Sequence, residues 1–256
     1  MKTSHKGIGK KIVIAVVSIF SLAATAQEDK TWRFGGQWGF HGNQSHYNGG
    51  MEQANARFEQ QPFGGVSLSL LARYDYNKRW MFTSGLGIAT FGFNFSISEN
   101  YSLRQGRSLL PITNEFGVIE IPTMAYYKFT PNCRGSKLVI GAGIVQTLIG
   151  EQSSTTTYLN AEGNTNANYL KSENVAKDGL VNMIRFSFGH EKVLKKGGIM
   201  SVNMIFNLGL KEIASTNVTY RIDGQDYQHI FSNTGNFIGF RMTYFLRPLG
   251  KSKITK

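Results

Sequence analysis

Residues 31–40, Thr-Trp-Arg-Phe-Gly-Gly-Gln-Trp-Gly-Phe, put Trp32, Phe34, Trp38 and Phe40 on one side of an extended strand and Arg33, Gly35, Gln37 and Gly39 on the other. Successive side chains of a strand point to opposite faces, so this is a two-faced strand with an aromatic side. A soluble sandwich would bury the aromatics and show water a row of long polar residues. The second face here is instead glycine, glutamine and one arginine. Small and polar residues inside a closed barrel, with aromatics turned to lipid, fit better.

The pattern recurs seven times. Val66, Leu68, Leu70, Ala72, Tyr74 and Tyr76 share a face against Ser67, Ser69, Leu71, Arg73 and Asp75, and Asn77-Lys78-Arg79 turns the chain. Trp80, Phe82, Leu86 and Ile88 begin a third strand, where Phe91, Phe93 and Phe95 break the parity as a β-bulge would. In the fourth, Ile119, Ile121, Thr123, Ala125, Tyr127 and Phe129 oppose Glu120, Pro122, Met124, Tyr126 and Lys128. Pro122 lacks a ladder donor, which predicts a bulge or a missing hydrogen bond. Leu138 to Val145, Leu180 to Lys192, Met200 to Leu210 and Ile238 to Leu246 complete the set.

Eight strands of about 10–13 residues are each long enough to cross a bilayer when tilted. Between them, the segments beginning near His41, Ser96, Gly150 and Lys211 are polar, rich in Ser, Thr, Asn and Gly, and read as long loops, whereas the turns at Lys78, Pro131 and Lys196 are short. Long loops alternating with short turns predict an all-β, eight-stranded antiparallel transmembrane barrel with long extracellular loops and short periplasmic turns. Trp32, Tyr74, Tyr76, Trp80, Tyr127 and Tyr244 gather at the short-turn end as an interfacial girdle, and Trp38 and Phe40 mark the opposite rim.

Residues 1–26 read as a cleaved secretory signal: Lys2, Lys6, Lys10 and Lys11 precede an apolar run from Ile12 to Ala24, and Ala24-Thr25-Ala26 is an A-x-A site. Residues 27–256 then form a single barrel domain with a short basic tail, exported to the outer membrane. Removing four lysines takes the formal charge from +12 to +8. The basic residues are neither clustered on a helix nor mixed into an aromatic platform, which excludes nucleic acid as a partner. They sort by side instead: the four long loops carry seven Lys/Arg against eleven Asp/Glu, while the amino-terminal stub, short turns and tail carry ten against two. A basic skirt of this kind could meet anionic headgroups, making outer-membrane lipids the first expected partner. Cys133 is the single cysteine, so internal disulfides and cysteine metal clusters are excluded.

Candidate chemistry is thin. His41 and His46 fall in the first loop, His229 in the last, and His190-Glu191 at a short-turn end, which does not collect the His, Ser and acid that a rim hydrolase needs. His41, His46 and Glu52 have no diagnostic metal spacing, and the glycine pairs at 49–50 and 64–65 precede no helix, so no cofactor is expected. The stronger signal points inward. Arg33, Arg73, Asp75, Glu120, Lys128, Arg185, Glu191 and Arg241 all face the interior. An eight-stranded lumen is just filled by side chains, so these predict a structural charge network and argue against a general pore. Counted from the short-turn ends, Glu120, Arg185 and Arg241 reach similar depth, which predicts that Glu120 contacts one or other arginine.

The passage Ile119-Glu120-Ile121-Pro122 followed by Tyr126-Tyr127-Lys128-Phe129, with Ser84-Gly85-Leu86-Gly87 and Gly141-Ala142-Gly143, resembles the PorT-like outer-membrane barrels of the Bacteroidota. The resemblance implies an OmpX- or OmpA-like eight-stranded barrel with no common chemistry. Some members of that family serve in protein secretion, so periplasmic or secretion-machinery proteins are implied as possible partners. The expected function is a non-enzymatic barrel acting through its loops or periplasmic face. A secretion component and an outer-membrane hydrolase are the alternatives.

Overall fold

A computed structural model describes residues 31–43, 46–47, 56–61, 63–99, 110–129, 136–159, 169–222 and 225–248. The expected signal, Glu52, Cys133 and the far carboxy-terminal tail lie outside the described residues. Eight strands form the wall: β1 (Thr31–Asn43), β4 (Phe63–Asp75), β5 (Trp80–Glu99), β6 (Leu110–Phe129), β7 (Ser136–Ile149), β10 (Gly179–Val193), β11 (Ile199–Gly209) and β14 (Phe237–Phe245). They run in the order β5-β4-β1-β14-β11-β10-β7-β6, and pairing of β5 with β6 closes the ring. Among the described residues no helix is long and apolar enough to cross a membrane.

The stagger follows from the ladders. From Ala89 on β5 the paired row runs through Ser67, Gly39, Arg241, Asn203, Gly189, Val139 and Lys128, and Lys128 donates its amide to the carbonyl of Arg79, at the foot of β5 again. One circuit thus descends from residue 89 to 79. That shear tilts the strands and leaves an interior that side chains fill. Burial is inverted relative to a soluble protein: Leu70 is 75% exposed while Arg73, three residues on, is 1% exposed. Below the upper end of β5, the described outward rows lie where the alternation places them. At the short-turn end Trp32 packs on Tyr74 at 4.8 Å between ring centroids and Trp80 on Tyr127 at 5.1 Å. The turns there are tight. Asn77 Oδ1 accepts the amides of Arg79 and Trp80 at 2.8 and 2.7 Å, and Gly197 adopts φ 84°, which closes the β10–β11 hairpin without a Cβ penalty.

Three expectations need correction. No bulge switches parity in β5, because its registers with β4 and β6 are constant throughout and Phe91 points inward at 0% exposure. A buried phenylalanine on the inner face looks, in sequence, like an outer residue out of phase. Second, the wall does not end at Trp38 and Phe40, where the first long loop is expected to begin. β1 stays paired on both sides through Asn43, and the outward positions near that end are Gly42, Gly64, Gly117 and Gly150. Third, among the described residues the long connections hold six strands: β2 (His46–Tyr47), β3 (Ala56–Gln61), β8 (Gln152–Leu159), β9 (Tyr169–Ala176), β12 (Ala214–Ile222) and β13 (Gln225–Asn233). β3 pairs with the upper part of β5, and the others form a second sheet in the order β2-β13-β12-β9-β8. Each of those five continues the wall strand to which the chain joins it, so the sheet extends β1-β14-β11-β10-β7 with the same neighbours. At Pro122 the outcome is a lapse and not a bulge: β5–β6 pairing skips from Ser84↔Thr123 to Gly87↔Glu120 with the register unchanged.

Candidate functional site: a two-level barrel interior

The lower level, next to the short turns, is ionic. Arg73 grips Glu191 with both terminal nitrogens and donates to Asp75 at 2.8 Å, while Lys128 Nζ reaches Asp75 at 2.9 Å. Arg33 Nε lies 3.5 Å from Asp75, and its Nη1 donates to the Gly197 carbonyl at 2.8 Å, tying β1 to the β10–β11 turn. The Arg73 guanidinium also stands over the Phe245 ring at 5.3 Å. Three cations and two carboxylates therefore form one cluster, with bidentate geometry where arginine meets glutamate.

Above it stands the second charged layer. Glu120, fully buried, accepts from Arg185 Nη2 at 2.7 Å and Nη1 at 3.3 Å on one side, and from Arg241 Nη2 at 3.0 Å on the other. Arg185 Nε donates to Asn207 Oδ1 at 3.1 Å, and Arg241 Nη1 to Gln37 Oε1 at 2.9 Å, with Gln37 passing a hydrogen bond on to Thr243 at 2.8 Å. The sequence places these groups on separate strands; the stagger of the wall brings them together. Glycine makes the room: a Cβ at Gly39 would stand 2.7 Å from Arg241 Cγ, and one at Gly143, the ladder partner of Arg185, 2.7 Å from Met124 Cα. Of the five residues singled out for the network, Glu120, Arg185 and Arg241 form this layer, and Arg73 and Arg33 belong to the lower one.

The upper level was not foreseen. Phe91, Phe116, Val145, Ile149, Met183, Ile213 and Phe237 pack into one apolar cluster that fills the barrel above the arginines. Arg185 lies under the Phe237 ring at 5.5 Å, so the ionic layer is sealed directly by aromatic surface. The open space beside Arg185 and Arg241 is about 10 Å³, room for one water molecule. The sequence signal was the inward-facing Phe91, Met183, Ile205 and Phe237, apolar residues on the nominally polar face.

Among the described side chains, His41, His190 and His229 lie in separate parts of the barrel. His41 is buried against Phe237 at 4.3 Å between ring centroids, its Nε2 2.9 Å from the Thr90 carbonyl. His190 faces outward at the short-turn end beside Ser136, and His229 lies in the second sheet. Among the described residues no group of three or more His, Cys, Asp or Glu could hold a metal.

No family model matches the chain, and no curated protein sequence does. Solved structures of similar shape include the outer membrane protein OprG from Pseudomonas aeruginosa, at 9% identity and TM-score 0.43 over 87% of this chain and 98% of that one. A major outer membrane protein from Thermus thermophilus follows at 10% and 0.41, over 84% and 99%. The outer membrane protein AlkL in DMPC bilayers is similar at 11% and 0.39, over 90% and 96%. What the chain is follows from its own geometry: a closed, eight-stranded antiparallel β-barrel with a charged floor, a Glu120-centred middle and an apolar ceiling.

Proposed function

We propose that this is an outer-membrane barrel that conducts no solute, catalyses no reaction and works through the β-structure of its long connections. One observation carries the membrane reading. Large apolar side chains such as Leu70, Phe40 and Ile88 face outward at 58–75% exposure, while arginine and glutamate fill the centre. Such a surface is stable only against lipid. The expected orientation puts the short turns toward the periplasm and the β8–β9 and β12–β13 hairpins outside. The two-level filling supports a closed lumen, since a solute would have to displace both a salt-bridged layer and an aromatic cluster. Binding through the extension sheet is the favoured role, and a place among secretion proteins, with periplasmic partners, rests on the family resemblance.

Fractionation and planar-bilayer recording test the reading together. The protein is expected in the outer-membrane fraction as a heat-modifiable band with no stepwise conductance. Recovery as a soluble periplasmic protein would overturn the location, and ohmic open steps would overturn the closed lumen.

A further inference from the structure

The outer surface carries a trough of about 730 Å³ on the wall formed by β1, β4, β5, β6 and β7. A convex barrel has no reason to be hollow there, and the ladders show why it is. Trp38, Leu68, Ile88, Ile119 and Leu148 make one paired row of outward apolar side chains. In the next row toward the long connections, Phe40 and Val66 are paired, but then come Thr90, Gly117 and Gly150. The side chains run out. A Cβ at Gly117 or Gly150 would meet nothing within 4 Å. The exposed carboxylate of Asp178 closes the far end.

We propose that this trough is a lipid site: one acyl chain lies along it, and the lipid's ammonium headgroup meets Asp178. The proposal rests on the membrane reading above. The trough is continuous with the lipid-facing band, so an acyl chain is what reaches it, and its floor and lower wall are apolar. Filling it brings dispersion contacts that a smooth wall of large side chains cannot offer. The charge selects the headgroup. Asp178 is the charged residue that lines the trough, and the neighbouring Lys177 is held by Glu212 at 3.0 Å, so the carboxylate at the end of the groove attracts an ammonium and repels a phosphate without one. A side chain at Gly117 or Gly150 would meet no neighbour, so glycine is not required there to let strands approach; it leaves space.

The test uses the chain refolded in detergent, with phosphatidylethanolamine or phosphatidylglycerol added in turn, and retained lipid counted by native mass spectrometry. Wild type is expected to retain one phosphatidylethanolamine, favoured over phosphatidylglycerol by about fivefold, the upper range for one exposed ion pair. Gly117→Phe fills the trough in open space, so it is expected to fold as wild type, judged by heat modifiability, and to lose retention. Asp178→Asn is expected to keep the chain bound but abolish the headgroup preference. Equal retention by wild type and Gly117→Phe would overturn the site, as would a preference for phosphatidylglycerol. If Gly117→Phe misfolds, Gly150→Leu gives the same reading from the adjacent strand. A folded wild-type barrel that retains no lipid sinks the trough alone, whereas a chain that forms no barrel in detergent or bilayer sinks the membrane reading.

Discussion

Replacing Glu120 by alanine is the most direct trial of the barrel interior. The carboxylate is 0% exposed and accepts three hydrogen bonds from two guanidinium groups, at 2.7, 3.0 and 3.3 Å. Its removal leaves Arg185 and Arg241 as two buried cations whose remaining partners, Asn207 and Gln37, are neutral. Breaking a buried pair by deleting one member costs about 3–5 kcal/mol, because the stranded charge keeps its desolvation penalty. This site should fall at the upper end, since two cations are stranded beneath an aromatic ceiling. Glu120→Gln retains an acceptor but not the charge and should lose less. Glu120→Ala combined with Arg241→Ala should recover at least about 1 kcal/mol relative to the sum of the single losses, as residues of one network couple. Urea unfolding in micelles, followed by the fluorescence of Trp32, Trp38 and Trp80, reads each value. A loss below about 1 kcal/mol for Glu120→Ala, against the expected 3–5, or strict additivity in the double variant, would refute the reasoning.

Other perturbations follow from the same geometry. Gly143→Leu should prevent folding or lower stability severely, because its Cβ already collides with the β6 backbone, whereas Gly42→Ala, in open space, should be neutral in the same urea assay. Changing Lys195 and Lys196 together to glutamate should slow refolding into vesicles containing phosphatidylglycerol, and leave refolding into phosphatidylcholine unchanged; equal slowing in both would remove the basic rim from lipid contact. Burial holds the His229 imidazole below its ordinary 6.5, so its proton binds the opened sheet in preference. Amide protection in β9, β12 and β13 should be full above pH 6.5 and decline as pH falls below it.

Alternation made the outer wall legible. Lipid tolerates no polar residue at most outward positions, so Met200, Val202, Met204, Phe206 and Leu208 form an unbroken apolar row. Glu120, Arg185 and Arg241 could be brought to one depth because short turns give each strand a fixed starting point. The interior above them was harder to read. Phe91 and Met183 are as apolar as the lipid face, and parity alone assigns them to the polar side, so Phe91 reads as a register change. β8 and β12 were hidden for a different reason. In Gln152-Ser153-Ser154-Thr155 and Ala214-Ser215-Thr216-Asn217 both faces are small or polar, and a strand without a greasy side leaves no period-two trace.

The second sheet repeats the neighbour order of the wall beneath it. Each hairpin above the barrel is consequently a cassette, joined to its own pair of wall strands at Gly150 and Asp178, or at Leu210 and Asn236. Exchange of either hairpin alters no pairing below those joints, provided Ala176, Ile213 and Ala214, which pack into the apolar ceiling, are kept. What the barrel displays can therefore change in length and sequence while the part that resides in lipid stays fixed, a division that leaves the displayed surface open to rapid divergence and makes the wall a ready mount for foreign hairpins.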